Sequence, residues 1–498
     1  MSLAPAIPAT ETGERGDLAA VVKRYDIRGL VGRQLTEPVV AALGAAFVDE
    51  LGLAGQDVAI GHDMRASSPG FAQAFARGVA QRGGRPVTIG LCSTDVTYFV
   101  SGSRGIAAAM FTASHNPAAY NGIKLSRPGA QALSLDTGLA AIRDRAEAFL
   151  RDGIPAAPHG AGEQTRLDVL ADYAAHLRRL VDLTGTQADA PVASASPTRR
   201  LKIVVDAGNG MAGLTVPAVL GAGAGLEPLP LEIVPLYFEL DGTFPNHEAN
   251  PLDPANLVDL QRAVVEHGAD LGLAFDGDAD RCFVVDELGE PVSPSAVTAI
   301  VAEREVARVR AAGEAEITVL HNLIVSRHVP ETIERADATA VRTHVGHSLI
   351  KAEMARTGAV FGGEHSAHYY FRDFWGADNG MLASMHVLAE VLTQGVSMSR
   401  LSHRHTPYAI SGEINSTVDD VPAAYARLID EFEHIASYDE FDGLTFTGFT
   451  SGDEPFWWFN VRPSNTEPLL RLNAEAATRS RMETIRDAVL AVIREDAW

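Results

Sequence analysis

The sequence predicts an α/β protein with several domains, in which three α/β units of similar design precede a C-terminal α+β unit. Three segments share one plan: a short apolar strand, a polar loop, an amphipathic helix and a second strand. They cover residues 57–92, 201–236 and 316–349. Strand, helix and strand in succession imply parallel strands joined by right-handed crossovers. Near-continuous β-branched runs, such as residues 203–205, are typical of strands that are covered on both faces.

The last part of the chain has a different pattern, which predicts an antiparallel sheet. Residues 410–418 (ISGEINSTV) alternate in polarity, and residues 421–437 predict a helix. Two further strands are predicted within residues 443–453 and 456–464. Short strands of this kind around a helix indicate an α+β domain.

Changes in composition indicate where the domains meet. A connector rich in Gly, Pro and Ala covers residues 151–165, and a hairpin followed by a helix start is predicted at residues 286–296. At about 150 residues per domain, the 498 residues correspond to three or four domains. The predicted domains are residues 1–164, 165–291, 292–405 and 406–498.

The net charge of −23 argues against nucleic acid and anionic membranes as partners. The N-terminal segment lacks the cationic stretch followed by an apolar run that is typical of a secretory signal. The sequence also contains no uninterrupted stretch of roughly 18 apolar residues that could span a membrane. The two cysteines, Cys92 and Cys282, show no CxxC spacing, which favours a reducing compartment. We therefore expect a cytoplasmic protein that binds neither nucleic acid nor membrane.

The segment LGLAFDGDADRCFVVDE (271–287) predicts a metal site. Asp276, Asp278 and Asp280 stand at alternate positions after an apolar strand, and carboxylates this close repel unless a cation lies among them. Oxygen ligands favour Mg²⁺ or Ca²⁺. An EF-hand would place Glu287 at loop position 12, but Arg281 occupies the position where that loop needs glycine. Mg²⁺ is the favoured ion, and a solvated acidic turn is the alternative.

Two other polar clusters predict ligand contacts. In NVRPSNTEPLLRL, Arg462, Ser464, Asn465 and Thr466 supply donors suited to a phosphate, although the same residue types also form ordinary turns. In GGEHSAH, the alternating residues Glu364, Ser366 and His368 suit the hydroxyls of a sugar, or form a polar strand edge. Two single residues are weaker candidates: Arg28 beside a Gly turn, and His347, since a lone histidine is more often structural.

The segment DAGNGMAG (206–213) matches the G-x-G-x-x-G pattern of dinucleotide-binding folds. The next predicted strand has no acidic residue cleanly at its end about 20 residues further on, where that pattern requires one. A structural Gly-rich turn is therefore favoured, and a nucleotide-dependent oxidoreductase remains an alternative.

Ser114 lies in FTASHNPAAYNGIK (111–124), where no G-x-S-x-G motif indicates a hydrolase. A serine that works with Mg²⁺ and cationic side chains suits the transfer of a phosphoryl group, which needs positioning, charge neutralisation and one group that handles a proton. Lys124 is the candidate for that group if neighbouring positive charge lowers its pKa.

These motifs resemble those of the α-D-phosphohexomutase superfamily, most closely its phosphomannomutase/phosphoglucomutase branch. YDIRG, TASHNP, DGDADR, GEHSAH and RPSNTEP occur in the family's order over nearly the whole chain. The resemblance implies four domains around a central cleft: three related α/β domains with mixed sheets, and a final α+β domain of the TATA-box-binding-protein type.

The resemblance also implies a role for each candidate residue. The residues implied to act in catalysis are Ser114, His115, Lys124, Arg28 and Arg281. Those implied to bind substrate are Tyr25, His347, Glu364, Ser366, His368, Arg462, Ser464, Asn465 and Thr466. Mg²⁺ would be held by Asp276, Asp278 and Asp280 and would also contact the phosphate on Ser114.

The implied activity is the interconversion of hexose 1-phosphate and hexose 6-phosphate, with mannose first and glucose second. It would use one Mg²⁺ per chain, a phosphoserine at Ser114 and a hexose 1,6-bisphosphate as intermediate and activator, in a monomer or homodimer. His365 replaces the Met that is usual in the sugar motif of the mannose/glucose branch, so the chain departs from the family pattern at this position. Phosphoglucosamine mutase is a less favoured alternative, because that branch usually has Asp where this chain has His347. A catalytically inactive sugar-phosphate-binding protein is disfavoured because Ser114, Lys124 and the three aspartates occur together.

Overall fold

In the computed structural model, the residues that the structure describes form four β-sheets, each from a different stretch of the chain. The structure describes residues 18–158, 160–184, 200–449, 456–463 and 469–494. These residues form two compact units. Unit 1 contains the described residues up to Cys92 together with Val100–Asp168, and unit 2 contains Ser93–Phe99 and the described residues from Val169 onward.

The first sheet is mixed, with strand order β1-β5-β4-β2-β3-β7 and with β6 paired to β5. Its elements, with the helices between them, are β1 (Ile27–Leu30), α1 (Glu37–Leu51), β2 (Asp57–His62), α2 (Ser68–Gln81), β3 (Arg85–Leu91), α3 (Thr94–Arg104), β4 (Ala107–Phe111), β5 (Tyr120–Arg127), β6 (Gln131–Ala132), α4 (Leu139–Asp152) and β7 (Thr165–Arg166). The antiparallel pair β4–β5 carries residues 112–119 as its connection.

The second sheet, in unit 2, has the order β12-β11-β10-β8-β9. Its elements are α5 (Leu170–Leu180), β8 (Leu201–Asp206), α6 (Ala212–Val219), β9 (Leu231–Leu236), α7 (Val258–His267), β10 (Leu271–Phe275), β11 (Cys282–Asp286) and β12 (Pro291–Val292). Strand β10 is fully buried and lies between β8, which is parallel to it, and β11, which is antiparallel.

The third sheet, also in unit 2, has the order β14-β13-β15-β16-β17. Its elements are α8 (Pro294–Ala311), β13 (Thr318–Asn322), α9 (His328–Arg335), β14 (Thr339–Thr343), α10 (His347–Thr357), β15 (Phe361–Gly363), β16 (Tyr369–Phe371), β17 (Ala377–Asp378), α11 (Gly380–Gln394) and α12 (Met398–Arg404). The tight connection between β15 and β16 consists of residues 364–368.

The fourth sheet, in unit 2, is antiparallel throughout and has the order β18-β22-β21-β20-β19. Its elements are β18 (Ala409–Thr417), α13 (Val421–Phe432), β19 (Ala436–Asp439), β20 (Leu444–Gly448), β21 (Trp457–Pro463), β22 (Leu469–Ala476) and α14 (Arg479–Ile493). The helix predicted at residues 421–437 is shorter than expected. It ends at Phe432, because Ala436 already pairs with Gly448 in the sheet.

The predicted fold class is confirmed, and so is the parallel pairing within the three repeated segments. Strand β2 pairs in parallel with β3, β8 with β9, and β13 with β14. The helix of the first segment is amphipathic, as predicted: its residues Phe71, Phe75 and Val79 are 6%, 0% and 0% exposed. Apolar burial on this face stabilises the helix against the sheet.

Helices α1 and α2 of unit 1 touch through glycines. A Cβ built on Gly78 would lie 2.0 Å from the carbonyl oxygen of Ala41 and 2.8 Å from the amide nitrogen of Ala45. A Cβ on Gly44 would lie 2.4 Å from the carbonyl oxygen of Phe75. Since these neighbours are backbone atoms, the two helices could accept a side chain at either position only by moving apart.

We expect Gly78→Ala to lower the free energy of unfolding by about 2 kcal/mol or more, because the two helices must separate to accept the methyl group. Gly70→Ala is the matched control in the same helix. Its Cβ would have as nearest atom a carboxylate oxygen of Glu37 at 3.7 Å, so helix propensity should leave stability equal or slightly higher. Urea denaturation of both variants tests this, and equal stability of Gly78→Ala and Gly70→Ala would contradict the steric argument.

Candidate active site

Ser114 lies in the connection between β4 and β5 of unit 1, and its backbone has an unusual conformation. Its φ angle is 48°, in the left-handed region that non-glycine residues rarely adopt. Its amide donates to the Thr112 hydroxyl at 2.8 Å, and its own hydroxyl lies 3.3 Å from Nδ1 of His115. Ser114 is 6% exposed. The serine hydroxyl is therefore held by local contacts, next to a side chain that can exchange a proton with it.

Arg65 organises the same loop, and the sequence analysis missed it. This arginine is 2% exposed, and its guanidinium donates to four backbone carbonyl oxygens. Three are in the connection between β4 and β5, those of Ser114, Asn116 and Pro117, and the fourth is that of Tyr120, the first residue of β5. Its Nε lies 3.3 Å from the buried Asp63 carboxylate. Burial raises the pKa of Asp63, and Arg65 and hydrogen bonds oppose that rise without cancelling it. Nothing in the local sequence separates Arg65 from a surface arginine.

The other candidates in unit 1 are Arg28, Tyr25 and Lys124. Arg28 donates to the Asn116 side chain at 2.6 Å and to Asp26 at 2.7 Å, so it contacts the serine loop directly. The guanidinium of Arg24 lies 5.3 Å from the centroid of the Tyr25 ring. Lys124 is within β5, opposite Met110 of β4. Within unit 1, Arg28 thus contacts the loop that carries Ser114 and His115.

The three aspartates predicted to bind metal form a buried cluster in unit 2, within the turn between β10 and β11. One carboxylate oxygen from each of Asp276, Asp278 and Asp280 lies within 4.8 Å of the others, and the residues are 0%, 0% and 1% exposed. Arg281 donates from Nε to Asp276 at 2.9 Å. Burial alone would lower the pKa of Arg281, but the aspartates outweigh it and the pKa is raised. Buried carboxylates whose charge one arginine only partly offsets are a donor set that fits Mg²⁺.

Two residues of the short segment Ser93–Phe99 support this acidic cluster, and the sequence analysis missed both. The Thr94 hydroxyl donates to the Asp278 carboxylate at 2.5 Å, and the Thr94 amide donates to the Asp278 carbonyl at 3.1 Å. Asp95 is fully buried and accepts short hydrogen bonds from the hydroxyls of Ser93 and Tyr173. Burial raises the pKa of Asp95 to about 7. Within unit 2, these contacts connect the acidic cluster to the segment Ser93–Phe99 and to Tyr173 of α5.

The predicted sugar-binding residues lie in the turn between β15 and β16 of the third sheet. The Glu364 carboxylate is 2% exposed and accepts hydrogen bonds from the Tyr370 hydroxyl at 2.6 Å and from the Asn322 amide at 3.3 Å. The Ser366 hydroxyl lies 3.0 Å from Nδ1 of His368. Nε2 of His368 is 3.9 Å from the Asp280 carboxylate. The turn that carries the three polar side chains therefore lies beside the acidic cluster.

A buried ion pair borders this turn. Its carboxylate, that of Asp378, was not among the residues predicted from the sequence. Lys351 of α10 forms a close ion pair with Asp378 of β17, and its ammonium lies 3.9 Å from the centroid of the Tyr98 ring. Asp378 can offer a ligand atom together with Asp280 and His368. Burial alone would lower the pKa of Lys351, but Asp378 and Tyr98 raise it. The lysine is therefore held in its charged form.

The predicted phosphate-binding residues are only partly described. Arg462 on β21 is 7% exposed and donates to Glu413 of β18 at 2.9 Å. Arg471 stands directly opposite Arg462 on β22 and also contacts Glu413, at 3.2 Å. Burial lowers the pKa of Arg462. Ser464, Asn465 and Thr466 lie outside the described residues, and His347 forms the first residue of α10.

The Gly-rich segment 206–213 has a packing role in the structure. A Cβ on Gly210 would lie 2.7 Å from the carbonyl oxygen of Gly277, inside the acidic turn, and the amide of Met211 donates to that carbonyl at 2.9 Å. A Cβ on Gly213 would lie 2.2 Å from the carbonyl oxygen of Phe238. The glycines therefore allow the turn after β8 to pack against the acidic turn and the segment after β9.

Four family descriptions match this chain in order. They are those of phosphoglucomutase/phosphomannomutase: alpha/beta/alpha domain I over residues 19–149, domain II over 172–289, domain III over 293–408, and the C-terminal domain over 413–492. The chain belongs to the phosphoglucomutase/phosphomannomutase family. It is therefore an isomerase of carbohydrate metabolism, a phosphohexomutase, and the oxidoreductase alternative falls away.

Individual relatives agree with this assignment. The chain is 40% identical over 457 residues to a protein named phosphohexose mutases from Xanthomonas campestris pv. campestris, covering 91% of this chain and 94% of the relative. It is 36% identical over 459 residues to a phosphomannomutase of Salmonella montevideo, with the same coverage. A crystal structure of a phosphoglucomutase/phosphomannomutase family protein from Burkholderia thailandensis has a TM-score of 0.80 and 27% identity, covering 96% of this chain and 97% of that one. Among the described residues, no helix combines the length and hydrophobicity needed to cross a bilayer.

We expect Thr94→Val to weaken Mg²⁺ binding by about 10- to 100-fold, because the variant keeps the volume but loses the hydroxyl that orients the Asp278 carboxylate. Isothermal titration with MgCl₂ measures the affinity directly, without turnover. Thr94→Ser keeps the donor and should bind Mg²⁺ nearly as the wild type does. An affinity of Thr94→Val within twofold of wild type would contradict this role of the hydroxyl.

Proposed function

We propose that this phosphohexomutase interconverts mannose 1-phosphate and mannose 6-phosphate, acts more slowly on the glucose phosphates, and uses Ser114 as the carrier of the phosphoryl group. The observation that carries the proposal is the juxtaposition in unit 2 of two sets of side chains. His368 of the β15–β16 turn lies 3.9 Å from Asp280 of the acidic cluster. Groups that suit sugar hydroxyls and groups that suit a divalent cation therefore lie side by side.

Asp276, Asp278 and Asp280 are the residues that would hold Mg²⁺. When bound, the ion would neutralise charge on the oxygens of the transferred phosphoryl group. Arg281, which donates to Asp276, keeps one of these carboxylates oriented and partly neutralised. Arg28 and Arg462 are the cations proposed to make the favourable contacts that an anionic ligand needs on a chain of net charge −23.

The reaction at Ser114 exchanges one O–P bond for another. The bond from the Ser114 oxygen to phosphorus breaks, a bond from the free sugar hydroxyl to phosphorus forms, and the proton of that hydroxyl passes to the serine oxygen. His115 Nδ1, 3.3 Å from that oxygen, and Lys124 are the groups proposed to relay the proton. The resulting hexose 1,6-bisphosphate then presents its other phosphate to Ser114, and the reverse exchange completes the turnover.

The sugar would be recognised by the β15–β16 turn. The Tyr370 hydroxyl and the Asn322 amide donate to the Glu364 carboxylate and fix its orientation, so its remaining acceptor capacity suits sugar hydroxyls. Ser366 and His368 add a hydroxyl and a ring nitrogen within 3.0 Å of each other. Arg462, Ser464, Asn465, Thr466, His347 and Tyr25 are proposed to contact the distal phosphate and the rest of the substrate.

The proposed sugar rests on the names of the relatives, and the proposed compartment and partners rest on composition. Mannose is placed first because the relative from Salmonella montevideo is named a phosphomannomutase. Phosphoglucosamine mutase remains the alternative. We also propose a cytoplasmic monomer or homodimer that binds neither nucleic acid nor membrane. The net charge of −23 supports the lack of nucleic acid binding, and the two buried, free cysteines are compatible with a reducing compartment.

We expect Ser114→Ala to lose at least about 1,000-fold in kcat, because no hydroxyl remains to carry the phosphoryl group. The assay couples the conversion of mannose 1-phosphate to mannose 6-phosphate, with Mg²⁺ and a trace of the bisphosphate. Incubation with the bisphosphate should add the mass of one phosphate to the wild type, on the peptide containing Ser114. Ser126→Ala, in the same hairpin, is the control and should keep both properties. Undiminished turnover by Ser114→Ala would refute the carrier assignment.

The sugar preference is tested with purified wild-type enzyme and three substrates. We expect kcat/KM to be highest for mannose 1-phosphate, lower for glucose 1-phosphate, and at least about 100-fold lower for glucosamine 1-phosphate. The ammonium that replaces a hydroxyl in glucosamine donates hydrogen bonds but cannot accept one from the donors of the turn. The three values are compared at one Mg²⁺ concentration. A higher value for glucosamine 1-phosphate than for mannose 1-phosphate would favour the alternative.

A further inference from the structure

The guanidinium of Arg65 lies inside the connection between β4 and β5. Its Nη1 donates to the carbonyl oxygens of Pro117 and Tyr120 at 3.0 Å each. Its Nη2 donates to those of Ser114 at 2.8 Å and Asn116 at 2.6 Å. Four carbonyls from a stretch of seven residues, 114–120, thus converge on one side chain. The loop is folded around a buried cation, in addition to its own backbone hydrogen bonds from Asn116 to Ala113 at 2.9 Å and from Tyr120 to Pro117 at 3.0 Å.

Only arginine offers this combination of donors. A guanidinium has five N–H donors in a rigid plane, whereas a lysine ammonium has three on a flexible stem. The Asp63 carboxylate balances the charge of Arg65 at 3.3 Å from Nε. Asp63 also accepts from the Arg65 amide at 3.0 Å and from the Ser68 hydroxyl at 2.6 Å. Through Asp63 and Ser68, the Arg65 side chain is therefore connected to the end of β2 and the start of α2.

The far end of the loop is tied to the same anchor. The Asn121 amide donates to the hydroxyls of Ser67 and Ser68 at 2.8 and 2.9 Å. At the near end, Thr112 accepts from the amide of Ser114 at 2.8 Å. Ser114 itself has a φ of 48°, a conformation that costs free energy and persists only when surrounding contacts enforce it. Its carbonyl is one of the four that Arg65 holds.

We propose that Arg65 is the positioning residue of the phosphoryl carrier: it holds the Ser114 backbone in the left-handed conformation from which the side chain gives and receives a phosphoryl group. This inference rests on the proposed function of Ser114. The loop then keeps one backbone conformation while the Ser114 side chain gains or loses the charge of its phosphate in each half-reaction.

The test compares Arg65→Lys with Arg82→Lys in the full-length enzyme. Arg82 is a matched control in unit 1, because it also pairs with an aspartate, Asp49 at 2.7 Å, and donates to a loop carbonyl, that of Pro155 at 2.9 Å. Three quantities are measured: the single-turnover rate of phosphoryl transfer from Ser114 to mannose 1-phosphate, the Kd of that sugar phosphate, and hydrogen exchange of the amides in residues 112–122.

We expect Arg65→Lys to slow the transfer about 100-fold, because a displaced carrier loses alignment with the acceptor hydroxyl. The Kd should stay within about threefold, and the amides of residues 112–122 should exchange at least about tenfold faster. Arg82→Lys should leave all three quantities unchanged. A wild-type transfer rate in Arg65→Lys overturns the proposal, as does slow transfer with unchanged exchange, because Arg65 would then act by another route.

A second variant keeps the proposal testable if Arg65→Lys does not fold. Thr112→Val keeps the side-chain volume but removes the acceptor for the Ser114 amide, and it should slow the transfer about tenfold with faster exchange of residues 112–122. Unchanged transfer in this variant would also count against a carrier that depends on its backbone conformation. If the wild type itself transfers no phosphoryl group from Ser114, the proposed function fails. The exchange data then still decide whether Arg65 orders the loop.

Discussion

The local structure of unit 2 is constrained by three carboxylates buried together at the end of one strand. Oxygens of Asp276, Asp278 and Asp280 lie within 4.8 Å of one another at exposures of 1% or less. Two negative charges at this separation repel by about 3 kcal/mol at an effective dielectric near 20. Neighbouring hydrogen-bond donors offset part of that repulsion: Arg281 donates to Asp276, and Thr94 donates to Asp278. A divalent cation would neutralise the negative charge that remains on the three carboxylates, which is why their burial together indicates a metal site.

The same turn must be approached closely by backbone from two other segments. A Cβ on Gly210 would lie 2.7 Å from the Gly277 carbonyl oxygen, and a Cβ on Gly380 would lie 2.6 Å from the carbonyl carbon of Arg281. Any side chain at either position would push the turn out of place and separate its carboxylates. Within the segment that resembles a nucleotide-binding pattern, Gly210 is thus explained by packing against the acidic turn, and Gly213 by the close approach of Phe238 after β9.

The fold was largely predictable because its strands are apolar runs and its helices amphipathic, both local features of the sequence. The end of α13 was not, since pairing of Ala436 in the sheet overrides the helical pattern. The acidic cluster was predictable because its members are adjacent in sequence. Arg65 and Thr94 were not, because their partners are 49 and 184 positions away, Ser114 and Asp278 respectively. Isolated hydroxyls and cations acquire such roles only through tertiary structure.

One departure from the family motif acquires a physical meaning in the structure. His365 stands where the resemblance leads one to expect Met, next to Glu364 in the β15–β16 turn. Burial lowers the pKa of His365 to about 4, so the ring is neutral at physiological pH. Its Nδ1 lies 3.0 Å from the hydroxyl of the buried Ser295, which gives the ring a polar partner. The substitution therefore adds no charge beside the Glu364 carboxylate, since a neutral imidazole, like Met, is an uncharged side chain.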